Sequence, residues 1–531
     1  MKKVLSHFWK DIEASQTEIQ FTLKRAPSKA LTHHEFVFFS KDLSAQDPEA
    51  WSALPAHLWT KEALQRWGQI LPKPSEQKDH PVATIEWCTG DTVRAQFLPH
   101  LSSLTNFELH TLLREHWSAP WQARIQSKPL GVAPLLLNLE TLGETEQKRI
   151  LSALIFLANT CTWKPYSFAK TPSKQSTGRA RKKTLTVDVH CTLATADFQA
   201  ILTQSTQLAH CNNWVRTLTD LPANFLNPGN YRELATQLAK LEGWKTEFLS
   251  TQKLKAIGAE AFLAVTRADP GSESGILKIS YRPKKAKKRL HLVGKGLCFD
   301  TGGYNIKTGA GMNGMHSDMS GSAVVLACLA YFAKTQSDIE VTAYLALAEN
   351  LISPTAFKPN EVVTACDGTT IEVVDTDAEG RMVLSDTLAL ARREKPDLCI
   401  DFATLTGAAI RALDTRMGAV FTNRPEWNET LVRAGQSSGE RVWPFPLEPD
   451  YKKQLKSEVA DLLQCTHGNN SDHIYAATFL AHFIGEETPW IHLDLSAAKN
   501  RGGLGLIGTT TTGFGVQWTV ETVKQVLGLN G

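Results

Sequence analysis

From about residue 289 onward, short apolar runs of strand length alternate with stretches of helix length, and no other feature of the chain narrows its fold as much. The runs 290–293, 341–347, 371–374 and 398–402 read as strands, and helical periodicity fits 322–335 and 385–394. Strands separated by helix-length segments need crossover connections, so the pattern predicts a largely parallel sheet covered by helices on both faces. A sheet of that kind places its ligands outside the carboxyl ends of its strands.

The 531 residues exceed what one ordinary core needs and suit two or three domains. Before residue 190 the chain mixes Trp-rich helical stretches with strand-like runs at 81–87 and 184–189. A long helical stretch over 197–218 is the expected junction, with a turn marked beyond it by Pro222, Asn224, Asn227 and Pro228. The boundaries expected are therefore 1–190 for a smaller N-terminal domain and 191–531 for the larger one. With 42% hydrophobic residues, 21% charged residues and a net charge of +3, the chain reads as a globular protein with no general pull toward nucleic acid. One basic segment, 173–183, lacks apolar periodicity and reads as a solvated loop in preference to a nucleic-acid arm. The nine cysteines form no CxxC pair, which points to a reducing compartment. No export signal is visible at the start, and the apolar stretch 323–333 falls short of the roughly 20 residues that cross a bilayer. A cytoplasmic location away from membranes is expected.

Acidic residues gather where the sheet rule puts a site. After the strand ending at Val293 come Lys295, Asp300, Lys307 and Asp318; after the strand ending at Val374 come Asp375, Asp377, Glu379 and Arg381. Residues two apart in an extended segment point the same way, so Asp377 and Glu379 can address one point. A solvated acidic turn, or salt bridges to Lys295, Lys307 and Arg381, are the plainer readings. They leave unexplained the glycines around Lys295, Asp300 and Gly311, which suggest backbone packed tightly about a site. A set of four carboxylates favours Mg, Mn or Zn and can neutralise two dications. Two such ions about 3.5–4 Å apart can hold and acidify a water. Lys295 could join them only as a neutral amine, its pKa depressed by the ions, and Lys307, kept charged, can stabilise an oxyanion.

The stretch 294–319, with Asp377-Ala378-Glu379-Gly380-Arg381, closely resembles the leucyl (cytosol) aminopeptidase family, and the likeness continues through 401–408 and 513–516. It covers roughly the C-terminal 320 residues. The resemblance implies a two-domain α/β protein: a catalytic domain with a mixed, mainly parallel sheet flanked by helices, and a smaller N-terminal α/β domain for assembly or regulation. It implies two divalent ions per subunit, Mn, Zn or Mg, held by Lys295, Asp300, Asp318, Asp377 and Glu379, with Asp300 and Glu379 shared. Lys307 would polarise the scissile carbonyl, Arg381 would anchor a bicarbonate ion, and Met315, Thr404 and Leu405 would line the pocket for the first side chain. The expected activity is release of N-terminal residues, preferably apolar ones such as leucine, from short peptides by a homohexamer.

The chain also departs from the family pattern. Asp375 stands where Asn is usual, His316 where Lys or Arg is common and Tyr475 where Thr is usual, and 492–498 is less glycine-rich. None of these changes removes an implied ligand. Two competing readings are a DNA-binding role carried by the basic segment and a metal-dependent hydrolase of non-peptide substrates. The G-x-S-x-G match at 435–439 and the G-x-G-x-x-G match at 503–508 lack the strand, turn and helix those motifs require. His467, Asp472 and His473 could suggest a further metal site, but the polar stretch between them reads as a surface or site-edge loop.

Overall fold

The computed structural model describes residues 8–9, 18–24, 36–39, 83–89, 91–98, 104–126, 135–139, 142–168, 184–269, 271, 273–468 and 470–529. They form two compact units. One comprises 14–163 and 171–209; the other comprises 1–13, 164–170 and 210–531. The basic segment 173–183 lies outside the described residues.

The first unit holds strands β1 (Glu18–Lys24), β2 (Phe36–Phe39), β3 (Ala83–Thr89), β4 (Asp91–Leu98), β5 (Leu135–Asn138) and β6 (Thr184–His190). They form one sheet in the order β1-β6-β5-β2-β4-β3, parallel except for the β3–β4 pair. Helices α1 (Asn106–Gln126) and α2 (Glu144–Thr160) belong to it. Thr105 and Glu108 open α1 with a reciprocal capping box, which satisfies two backbone donors that a helix start leaves bare. Helix α3 (Thr195–Thr219) carries the boundary between the units.

The second unit is built on an eight-stranded sheet. Its strands are β7 (Lys245–Ser250), β8 (Gly275–Tyr281), β9 (Lys288–Asp300), β10 (Ile339–Asn350), β13 (Leu398–Ala403), β14 (Gly418–Thr422), β15 (Val442–Pro444) and β17 (Trp490–Asp494). Strands β11 (Val362–Thr364), β12 (Thr370–Glu372) and β16 (Leu462–Leu463) form a small separate sheet. In the main sheet the order is β15-β14-β17-β13-β9-β10-β8-β7, and its centre, β17-β13-β9-β10, is parallel throughout. Strands β8 and β14 run antiparallel to that centre, so the sheet is mixed.

Helices α4 (Pro228–Leu241), α5 (Ser320–Lys334), α6 (Glu379–Arg392), α7 (Gly407–Leu413), α8 (Asp472–Ile484) and α9 (Val516–Leu527) complete the described core. Successive residues of a strand face opposite sides, and β9 shows what lies on each. A Cβ on Gly294 would stand 2.5 Å from Ser322 Cα in α5, whereas Lys295 Nζ lies 2.6 Å from where a Cβ on Gly380 of α6 would be. The two helices therefore cover opposite faces of the sheet, and residues 320–332 of α5 are all buried. The helix expected over 385–394 begins earlier, at Glu379. Among the described residues no helix is long and apolar enough to cross a membrane, and the eight cysteines with described side chains are free thiols.

Candidate metal centre

Four neighbouring parallel strands end in polar residues at one edge of the sheet. Strand β9 closes on Asp300 and β10 on Asn350, which are partners in register; β13 leads into Thr404, and β17 closes on Asp494 beside Ala403. Asn350 Nδ2 donates to Asp300 Oδ1 at 2.9 Å and to the Thr376 carbonyl at 3.0 Å, which ties the end of β9 to the segment leading into α6. Asp494 accepts from Leu405 N at 3.0 Å and Thr406 Oγ1 at 2.8 Å, fixing the turn after β13.

Into this edge project the residues singled out from the sequence. Lys295 Nζ lies 2.9 Å from Asp318 Oδ2 and 3.0 Å from Glu379 Oε1, and it donates to the Thr404 carbonyl at 3.2 Å. Lys307 Nζ bridges Asp300 Oδ2 at 2.7 Å and Asp377 Oδ1 at 2.6 Å. Thr404 Oγ1 donates to Asp318 Oδ1 at 2.6 Å. Ligand oxygens of Asp300, Asp377 and Glu379 all lie within 4.8 Å of one another. Asp377 and Glu379 do converge, but not through an extended segment. Glu379 opens α6, and the turn into the helix aims the two carboxylates together. The Asp377 backbone N–H donates to Asp375 Oδ1 at 2.8 Å, so the unusual Asp375 stabilises that turn.

Glycine makes the close approach possible at two points. Gly302 adopts φ +86°, which a side chain would strain, and a Cβ there would fall 2.5 Å from the Asn305 carbonyl oxygen. Gly380 leaves the space that the Lys295 ammonium occupies. Gly311, counted with them from the sequence, is different: a Cβ there would meet only Lys307 Cβ at 3.8 Å.

The cluster is electrostatically crowded. Burial, followed by the charges of Asp300 and Asp318, pushes Glu379 up to about 8, with Lys295 and Lys307 pulling against the rise. Asp318 is pushed up to about 6, first by burial and then by Asp300, with Lys295 opposing. Burial pulls the Lys295 pKa down, but Asp318, Glu379 and Asp300 together outweigh it and hold the ammonium above its ordinary range. The same balance, led by Asp300 after burial, raises Lys307. Glu379 Oε2 is a buried carboxylate oxygen with no hydrogen-bond partner among the described residues. Four carboxylates facing two ammonium groups, with Glu379 Oε2 in neither a hydrogen bond nor an ion pair among the described residues, suit an oxygen-ligated divalent cation.

Arg381 sits behind the cluster. Both oxygens of Asp472 accept from Nη2 at 2.8 Å, and Nη1 donates to the Gln464 carbonyl at 3.2 Å. A cavity of about 560 Å³ opens in front, lined by the cage together with Met315, Thr404 and Leu405. All ten residues named from the sequence thus meet at one edge of the sheet. Sequence reasoning missed Asn350 and Asp494, and it put Asp472 in a surface or site-edge loop; Asp472 does line the cavity, but it begins α8 and pairs with Arg381. It also missed the role of Asp401, whose carboxylate accepts from Trp490 Nε1 at 2.6 Å and lies 2.6 Å from His492 Nδ1, locking β13 to β17. A buried-type Asp inside an apolar strand was the available signal. Among the described residues only Asp300, Asp377 and Glu379 group as metal ligands, so His467, Asp472 and His473 do not form a second centre. Ser437 lies exposed within a helix, Asn428–Ser438, and is not at a nucleophile elbow.

The chain is similar to several known proteins. The model for the cytosol aminopeptidase family, catalytic domain, matches residues 213–520. A probable cytosol aminopeptidase of Corynebacterium glutamicum is 38% identical over 313 residues, 59% of this chain, and the match spans 62% of the length of that relative. A probable cytosol aminopeptidase of Pseudomonas fluorescens is 35% identical over 392 residues, covering 70% of this chain and 78% of its own length. Among solved structures, a tomato leucine aminopeptidase mutant shares the fold with a TM-score of 0.77 at 24% identity, covering 96% of this chain and 97% of its own. The bottromycin maturation enzyme BotP, solved in complex with Mn, gives a TM-score of 0.72 at 26% identity, covering 93% and 99%. The match across the whole stretch that carries the lysine and carboxylate cage places this chain in the cytosol aminopeptidase family.

Proposed function

We propose that the chain is a metal-dependent aminopeptidase that releases the N-terminal residue of short peptides in the cytoplasm. The observation that carries this reading is the convergence of Asp300, Asp377 and Glu379 oxygens within 4.8 Å, with Lys307 bound to two of those carboxylates. Lys295, Asp300, Asp318, Asp377 and Glu379 would hold two divalent ions, Mn, Zn or Mg, with Lys295 joining only as its neutral amine once the cations offset the carboxylate charge that otherwise keeps it protonated. When bound, such ions supply an activated water and a Lewis acid for the peptide carbonyl.

The chain's own groups do the rest. Lys307 lies at the cavity side of the cage, where Asp300 and Asp377 hold its ammonium above the ordinary range, so it can place a positive charge where an oxyanion develops. Asp377 is exposed, which leaves the cage open toward the cavity. Met315 and Leu405 give that cavity apolar wall, which supports leucine-like first residues. Bicarbonate at Arg381 belongs to the same reading: Nε is an unpartnered buried donor among the described residues, while Nη2 is taken by Asp472, so the anion would share the guanidinium with that carboxylate.

Hydrolysis of Leu-p-nitroanilide tests the proposal. Turnover should disappear on chelation and return with Mn, Zn or Mg. Turnover that persists in the chelated protein, or an N-terminally blocked peptide cleaved as fast as the free one, would sink it.

A further inference from the structure

The cavity in front of the cage contains a cation that the cage does not use. Lys499 follows β17 by a few residues, and its backbone pairs with Thr511 in an isolated antiparallel bridge. Its neighbours are fixed as well. The Ala498 carbonyl accepts from Thr512 N at 3.0 Å, and Asn500 Nδ2 donates to Thr415 O at 2.8 Å and Thr415 Oγ1 at 2.9 Å. From this pinned base the side chain reaches Gly314: Nζ lies 3.5 Å from where a Cβ on that residue would stand, one position before Met315. Lys499, Gly314, Met315 and Leu405 all line the cavity that also exposes Asp377 and Lys307.

The ammonium is half-buried, and it takes part in none of the ion pairs found among the described residues around the cage. Burial lowers its pKa, and Asp220 and Asp318 are the charges that act against the fall. Asp318 is already engaged by Lys295 and Thr404. Asp220 accepts from Thr511 Oγ1 at 2.5 Å, so Lys499 is a partly desolvated cation on a fixed backbone, in none of the ion pairs found among the described residues, and is complementary to an anion that enters the cavity. Met315 and Leu405 line the same cavity, so a substrate side chain that fits both the apolar wall and the ammonium has a short apolar stem that ends in a carboxylate.

We propose that Lys499 is a specificity-determining residue that selects acidic N-terminal residues, glutamate or aspartate, over their neutral counterparts. The inference rests on the aminopeptidase reading and narrows its substrate class. It also revises the largely apolar pocket expected from Met315, Thr404 and Leu405, because Lys499 lines the same cavity.

The test compares metal-loaded wild-type protein on Glu-, Gln- and Leu-p-nitroanilide, with Lys499→Met and Lys499→Arg alongside. The Glu substrate should exceed the isosteric Gln substrate in kcat/KM by about tenfold or more, since one charge-assisted contact is worth that much. Lys499→Met should bring the ratio to about one or below, and Lys499→Arg should preserve it. Calorimetry gives a second readout: L-glutamate should bind wild type more tightly than L-glutamine, and Lys499→Met should lose the difference. A wild-type ratio at or below one, or a ratio that Lys499→Met leaves intact, overturns the role of Lys499 while leaving the peptidase standing. Failure to turn over any of the three substrates overturns the aminopeptidase reading and this inference with it.

Discussion

Lys295 and Lys307 carry the same charge into the same cage, yet their surroundings give them different tasks. The Lys295 side chain is 4% exposed and wedged between Asp318 and Glu379, whereas Lys307 is 15% exposed and bridges Asp300 and Asp377 at the cavity side. Glu379 Oε2 is buried and, among the described residues, has neither a hydrogen bond nor an ion pair. Replacing Glu379 by Ala should therefore abolish metal binding and activity together. Lys307→Ala should keep its metal, measured by elemental analysis after dialysis, while kcat falls by about 100-fold, the scale seen when one oxyanion donor is removed. Loss of metal in Lys307→Ala would show that this lysine holds the cage together instead of serving the reaction. Every one of these side chains was legible in the sequence because each sits in a long, specific motif. Lys499 was not, since nothing in the sequence shows that a loop beyond β17 reaches Gly314.

At the scale of elements, the site depends on how closely α5 and α6 approach the sheet. A Cβ on Gly321, at the start of α5, would fall 2.1 Å from the Phe402 carbonyl oxygen of β13. Gly321→Ala must then push the helix off the strand, a loss of about 1–3 kcal/mol that urea denaturation would register. The sequence placed α5 within a residue or two of its observed bounds because its apolar run is continuous. It started α6 too late, since Asp375-Thr376-Asp377-Ala378-Glu379-Gly380 reads as a loop until tertiary packing buries Glu379 in the first turn, where an acid also suits the helix dipole.

Helix α9 carries a titrating cap. The buried Glu440 carboxylate accepts from Gly515 N at 3.0 Å and Trp518 N at 2.8 Å, and burial outweighs those contacts and pushes it up to about 7 from its ordinary 4.5. An acid whose folded pKa is raised makes folding favour the protonated form. Its contribution is fully present below about pH 4.5 and is lost as pH rises toward 7, a change on the order of 3 kcal/mol. The stability of Glu440→Gln relative to wild type should accordingly improve across that window and stay level above it. Parallel denaturation curves from pH 4.5 to 8 would test the sign.

For the whole molecule, the sheet topology explains both what could and what could not be read beforehand. Alternating strands and helices announced a largely parallel sheet and its carboxyl edge, but the order β17-β13-β9-β10 sets four ends side by side that lie far apart in sequence. Asn350 and Asp494 acquire their roles only through that order, as does Asp472, which meets Arg381 across 91 positions. The same convergence crowds four carboxylates at one edge, so the folded state carries repulsion that a bound cation relieves. A ligand that binds only the folded chain stabilises it by mass action, about 2.7 kcal/mol at a concentration a hundredfold above its Kd. Adding Mn or Zn to chelator-treated protein should thus raise Tm in a concentration-dependent way. Glu379→Ala should show little rise, because the unfolded chain has no cage and the variant lacks a ligand. An equal rise in both proteins would mean that the ions bind elsewhere. Light scattering on the same samples would test the expected hexamer, and a metal-induced shift in particle mass would separate stabilisation through the cage from stabilisation through assembly.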